Sequence, residues 1–168
     1  MKKSDSLDYD LSTKKVIFLF IYYVLILISG IFCSVIVITN LKSEFTIEQL
    51  IKYTILISFS MSTMLCSIQY IRRLYKACID ERIKNTTSHG EIGNLIYFLL
   101  RPVFALVFTI VMIVSLLSGM FIVTGSLDYI INEKFLYLCA ILSSFIGFSP
   151  GRLLDKFETI AEKEIDKI

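Results

Sequence analysis

Eight polar or small side chains crowd one apolar stretch of the chain, residues 47–71: Thr54, Ser58, Ser60, Ser62, Thr63, Cys66, Ser67 and Gln69. Hydroxyls and amides offer hydrogen bonds without fixed charge, so they can line a wet conduit. Thr54, Ser58 and Ser62 follow at steps of four, and with Gln69 they are the pore-lining candidates. Small residues at steps of four also let helices approach closely, and Ser or Thr can bond across such a contact. Conduit and packing are the two readings of this strip.

A basic cluster follows at Arg72, Arg73, Lys76, Arg82 and Lys84, and Arg101 lies further on. Clustered cations attract phosphates, whether of lipid headgroups or of a nucleotide or oligonucleotide ligand. Arg101 sits near the start of an apolar run. It either snorkels its charge to the headgroups, or faces a water-filled vestibule or binds an anionic group.

Other chemistry is poorly supplied. An enzyme needs titratable groups gathered in a pocket, and the one histidine, His89, lies in a polar segment. No Asp or Glu lies in the interior of the apolar runs, whereas proton-coupled pumps place ionisable residues within the membrane. Cys33, Cys66, Cys78 and Cys139 have neither metal-ligand nor disulfide-framework spacing. They read as small packing residues. No catalytic residue, metal or cofactor is expected. Asn85-Thr86-Thr87 matches a glycosylation sequon, but it falls in a segment assigned below to the cytoplasm.

The elements that must carry these groups are set by four apolar runs, at residues 16–39, 47–71, 102–124 and 135–148. A hydrocarbon core takes about 20 apolar residues in a helix. The first three runs are long enough. The fourth reaches across if residues 129–131 are counted or the helix stands upright. Fourteen of the seventeen Lys and Arg residues fall in alternate segments. They are Lys2, Lys3, Lys14 and Lys15; the six already named; and Arg152, Lys156, Lys163 and Lys167. The other connections carry only Lys42, Lys52 and Lys134. Basic residues hold loops on the cytoplasmic side, so both termini and the middle loop are expected there. The first run is too long for the apolar region of a signal peptide, and its leader holds Asp5, Asp8 and Asp10.

Local signals refine the boundaries. Thr46 and Gln49 have capping-box spacing, and Phe45 and Leu50 that of a hydrophobic staple. The first two helices should therefore form a tight antiparallel hairpin. Ile71, Leu74, Tyr75, Cys78, Ile79 and Ile83 recur at helical spacing, which predicts a cytoplasmic extension to about Lys84. The polar cluster Asn85-Thr86-Thr87-Ser88-His89-Gly90 should break it. Pro102 suits the first turn of the third helix; otherwise that helix starts earlier and kinks. Gly125 and Ser126 should end it. Cys139, Ser143, Gly147 and Gly151 form a small-residue ladder that reads as packing. Ser149-Pro150 reads as an N-cap and first helical residue, opening an amphipathic tail over 151–168. The tyrosines near span ends fit an interfacial belt, with no ligand role assigned.

The fold expected is all-α: an integral membrane protein with four transmembrane helices in two antiparallel hairpins, plus cytoplasmic helical extensions. Residues 1–15 are a cytoplasmic segment, 16–150 the membrane domain with a cytoplasmic helix-loop at about 72–94, and 151–168 a cytoplasmic amphipathic helix. The partners expected are the lipid bilayer and further copies of the chain.

The segment Phe145-Ile146-Gly147-Phe148-Ser149-Pro150-Gly151-Arg152-Leu153-Leu154-Asp155-Lys156-Phe157-Glu158 is similar to one found in small bacterial multi-span proteins, where a last span ends in Gly-aromatic-Ser and runs on into a cytoplasmic helix. The layout resembles membrane effectors of anti-phage defence, including the SLATT type and the Hailong effector. It departs from the common SLATT plan, in which two spans, not four, precede the helical tail. What the resemblance implies is an oligomeric pore in the bacterial inner membrane. A nucleotide-type signal would control it from the cytoplasm, supplied by a partner nucleotidyltransferase. The residues themselves leave open a second role, as a non-conducting anchor or assembly subunit.

Overall fold

The computed structural model describes residues 9–40, 46–79, 83–84, 88–124 and 132–148. They form four helices: α1 (Thr13–Asn40), α2 (Ile47–Ile79), α3 (Ser88–Thr124) and α4 (Glu133–Phe148). Two short strands, β1 (Tyr9–Asp10) and β2 (Ile83–Lys84), pair in parallel, with Tyr9 opposite Ile83 and Asp10 opposite Lys84. This brings the segment before α1 to the same end of the molecule as the segment between α2 and α3.

Three helices are long and apolar enough to cross a membrane: α1, α2 and residues Ile92–Gly119 of α3. In hydrocarbon the backbone has no water to bond, so helices that satisfy their own amides are the required form. The fourth helix has 16 residues, about 24 Å at 1.5 Å per residue, against a core of about 30 Å.

α2 is the central element and packs against all three others, most extensively against α1 and α4. Its start is the expected capping box. The Thr46 amide donates to Gln49 Oε1 and the Gln49 amide to Thr46 Oγ1, both at 3.4 Å. Phe45, the first half of the staple, lies outside the described residues. Contacts with α1 descend α2 as they climb α1: Tyr23 stacks on Tyr70, Gly30 faces Met64, and Ser34 meets Ser60. α4 lies mainly on α2 and touches α3 less. Its first turn is capped by Asn132, whose side-chain oxygen accepts the Phe135 amide at 3.0 Å.

The outer faces remain apolar. Ile17, Ile21, Leu25, Ile28 and Phe32 of α1, and Val103, Val107, Ile110 and Val114 of α3, are exposed. That distribution suits a lipid-facing surface, where no hydrophobic penalty attaches to exposed Ile or Val.

Several boundaries depart from the expectations. α1 begins at Thr13, three residues before the apolar run, and Leu11 before it is already buried. The helical extension of α2 ends at Ile79 as described, and Ile83 and Lys84 are extended, not helical. Their backbone bonds go to Tyr9–Asp10, an outlet that periodicity within α2 cannot reveal. The polar cluster does not remain a loop throughout, because Ser88, His89 and Gly90 already belong to α3. Pro102 is therefore inside α3, not in its first turn. The amphipathic tail and its Ser149-Pro150 start lie outside the described residues.

Candidate functional site

The hydroxyl strip of α2 is enclosed by the other helices. Thr54, Ser58, Ser60, Ser62 and Ser67 are all buried. Most discharge their hydrogen bonds on the preceding turn, the usual outlet for Ser and Thr within a helix. Thr54 Oγ1 donates to Leu50 O at 2.8 Å, Thr63 Oγ1 to Phe59 O at 2.9 Å, and Ser67 Oγ to Thr63 O at 2.8 Å. Two bonds cross between helices. Ser34 and Ser60 share one at 2.9 Å, and Ser62 Oγ donates to Ala105 O of α3 at 3.2 Å.

Glycine sets the spacing at the same level. A side chain at Gly147 of α4 would collide with the Ser62 carbonyl, and one at Gly30 of α1 would press on Ser60 O at 3.1 Å. Backbones can approach this closely only where one partner lacks Cβ. Cys139, Ser143 and Gly147 are all buried, so the described part of the α4 ladder is a packing seam. Two polar atoms of the α2 strip are left over. Ser58 Oγ and Gln69 Oε1 are buried with no hydrogen-bond partner among the described residues. Eleven residues at about 100° each bring them back to one side of the helix.

A second constellation lies nearer the end that carries β1 and β2. Pro102 has no N–H, so the Phe98 carbonyl one turn earlier loses its helical donor. Tyr23 of α1 fills that vacancy: its hydroxyl donates to Phe98 O. Its neighbour Tyr22 donates to Leu99 O at 3.3 Å. Around these bonds the rings form one layer. Tyr23 stacks on Tyr70 at 5.7 Å between centroids, and Tyr70 meets Phe98 edge-on at 5.9 Å.

Arg101 is set into this layer. Its guanidinium carbon lies 4.0 Å from the Tyr97 centroid and 5.9 Å from that of Tyr70. Tyr97 and Arg101 are one turn apart on α3, the spacing at which helix side chains meet. The residue is only 7% exposed, and its Nε and Nη1 have no hydrogen-bond partner among the described residues. The rings of Tyr97 and Tyr70 cover the head of the side chain. Tyr70 Oη is likewise buried without a partner among the described residues. Arg73 approaches the same ring, its guanidinium carbon 5.2 Å from the Tyr70 centroid.

The structure thus divides the sequence candidates. Thr54, Ser58 and Ser62 are buried in the helix seams, and Gln69 is partly buried. Arg73 and Arg101 are brought together around Tyr70. Arg72 and Lys76 are exposed. Lys84 contributes backbone pairing to β1, and Arg82 lies outside the described residues. Tyr23, Tyr70, Tyr97 and Phe98 were not singled out by sequence reasoning for this role. One signal was present: Tyr97 and Arg101 at helical spacing before a proline. Among the described residues no group of three His, Cys, Asp or Glu side chains comes together, and the four thiols are free.

No family model matches the chain, nor does any curated protein or solved structure.

Proposed function

We propose that the chain is one subunit of a homo-oligomeric membrane channel, an effector gated from the cytoplasmic side. In this reading α4 also crosses, giving four spans in two antiparallel hairpins with both termini inside. The observation that carries it is the pair of orphaned polar atoms on one side of α2, Ser58 Oγ and Gln69 Oε1. An unsatisfied polar group in hydrocarbon costs several kcal/mol, so these atoms call for water along α2. The basic side chains at Arg72, Arg73 and Lys76 stand at one end of that line. They suit a phosphate-bearing gating ligand, and the resemblance to anti-phage effectors in the bacterial inner membrane adds a nucleotide-type signal.

Liposome flux tests this. Ser58→Leu protein that keeps its oligomeric size but conducts less than wild type supports a conduit. Wild-type protein that never conducts, with or without nucleotide, overturns it. Orientation has its own check: Cys placed at His89 should resist membrane-impermeant thiol reagents added to intact cells.

The tight Ser62–Gly147 seam favours a second reading, a non-conducting anchor or assembly subunit in which α2 is polar for packing alone. Ser62→Leu then costs assembly, not flux.

A further inference from the structure

We propose that Arg101 and Arg73 hold the phosphate of one membrane phospholipid, with an acyl chain seated in the cleft between α1, α2 and α3. The inference requires only that the helices lie in a membrane, not that the protein conducts.

The argument starts from an uncompensated charge. An isolated buried cation is so costly that buried charges are normally paired. Arg101 is more than nine-tenths buried, yet two of its donor nitrogens face no acceptor among the described residues. Cation–π contact with Tyr97 offsets only a part of that cost. No Asp or Glu occurs anywhere from Ile92 to Leu127 or from Gln49 to Ile79. The missing counter-charge must come from elsewhere, and a planar guanidinium fork suits a phosphate.

The level of the site selects the source. Tyr70 lies at the last turn of the α2 apolar run, two residues before Arg72 and three before Arg73. Arg73 and Arg101 both lie within 6 Å of its ring. Such a level, where apolar sequence gives way to basic sequence, is where lipid phosphates reside.

The cleft supplies the second half of a lipid. It has a volume of about 510 Å³ and runs along α1 from Tyr22 to Cys33, with Leu56 and Phe59 of α2 and Leu106 of α3 among its walls. Tyr22, at its end nearest the aromatic layer, bonds the carbonyl of Leu99, two residues from Arg101. Tyr22 packs edge-on against Tyr23 of the aromatic layer that holds Arg101, so trench and cation are neighbours and together complement an anionic amphiphile.

The test is phosphorus analysis of full-length protein extracted in mild detergent and washed. Organic extraction separates lipid from soluble phosphate. Wild type should retain about one phospholipid per chain, and Arg101→Gln should retain at least about tenfold less, the loss expected for a bidentate charged contact. Arg101→Gln could also fail to fold, so Ser29→Phe gives an independent arm. Ser29 is an exposed residue that lines the cleft. Filling the trench from there should displace the lipid while helicity and size are kept. A wild type that holds no phosphorus overturns the proposal. So does phosphorus that stays in the aqueous phase, or lipid retention that Ser29→Phe and Arg101→Gln both leave unchanged. The last result would assign the counter-charge to a carboxylate of the chain's own polar segments.

Discussion

The hydroxyl seams at the middle of α2 and the aromatic layer around Arg101 solve opposite problems. In the seams, small side chains let backbones meet, and most hydroxyls bond the preceding turn or a group of a neighbouring helix, Ser58 excepted. In the aromatic layer, large rings pack between the helices, and two nitrogens of an enclosed cation meet no acceptor among the described residues. Polar content alone therefore does not mark chemistry in a membrane domain. The seams carry many more polar residues, but the layer carries the buried charge.

The comparison is most forcefully broken at Gly147. Gly147→Leu drives a side chain into the Ser62 carbonyl, and we expect a loss of about 3 kcal/mol or more, beyond usual overpacking because the obstacle is backbone. Unfolding titration in mixed detergent micelles measures it. A loss under about 1 kcal/mol would mean that α4 is not held at this seam.

Next comes Tyr23→Phe, which removes one hydroxyl and keeps the ring stack. It leaves the Phe98 carbonyl without the Tyr23 donor beside a proline, and should cost about 1–3 kcal/mol. Tyr22→Phe should cost less, because its bond is longer and only partly buried. Equal values for the two would show that Pro102 creates no special vacancy.

Ser34→Ala removes one bond between α1 and α2. Ser60 keeps a second acceptor at Ile57 O, 3.0 Å away, so about 0.6 kcal/mol is expected. Smallest of all is Ser58→Ala. A hydroxyl that meets only water in a conduit adds little to folding, so its removal should change stability by less than about 0.5 kcal/mol in either direction. A substantially larger loss would show that Ser58 bonds a group of the packed seam and would favour the packing reading of α2.

The sequence disclosed features whose cause is local. Run length and hydropathy are enough for α1, α2 and the apolar part of α3, because lipid allows few alternatives. The Thr46–Gln49 box is legible because both partners lie within four residues. Pro102 was harder. By local rules proline opens a helix, and here it sits inside one because its vacancy is filled from Tyr23, 79 positions earlier in the chain. Arg101 follows the same logic, since its burial depends on Tyr70 as well as on Tyr97 beside it. The α2 strip could be read as polar and small, but whether its hydroxyls face a neighbour or water depends on Gly147 and Ala105, remote in sequence. Ile83 matched the helical period and Lys84 was the expected end of the extension, but both pair as a strand with Tyr9–Asp10.

The bond from Tyr23 to Phe98 has a consequence for the order of assembly. During synthesis α1 enters the bilayer well before α3. When α3 arrives, its proline withholds the usual helical donor from the Phe98 carbonyl. Alone in lipid, α3 would carry that deficit or bend to relieve it. Beside α1, in the register that aligns Tyr23 with Phe98, the Tyr23 hydroxyl supplies a donor. The proline thus gives the third helix a reason to settle against the first in that register, so the position of α3 is linked to that of α1.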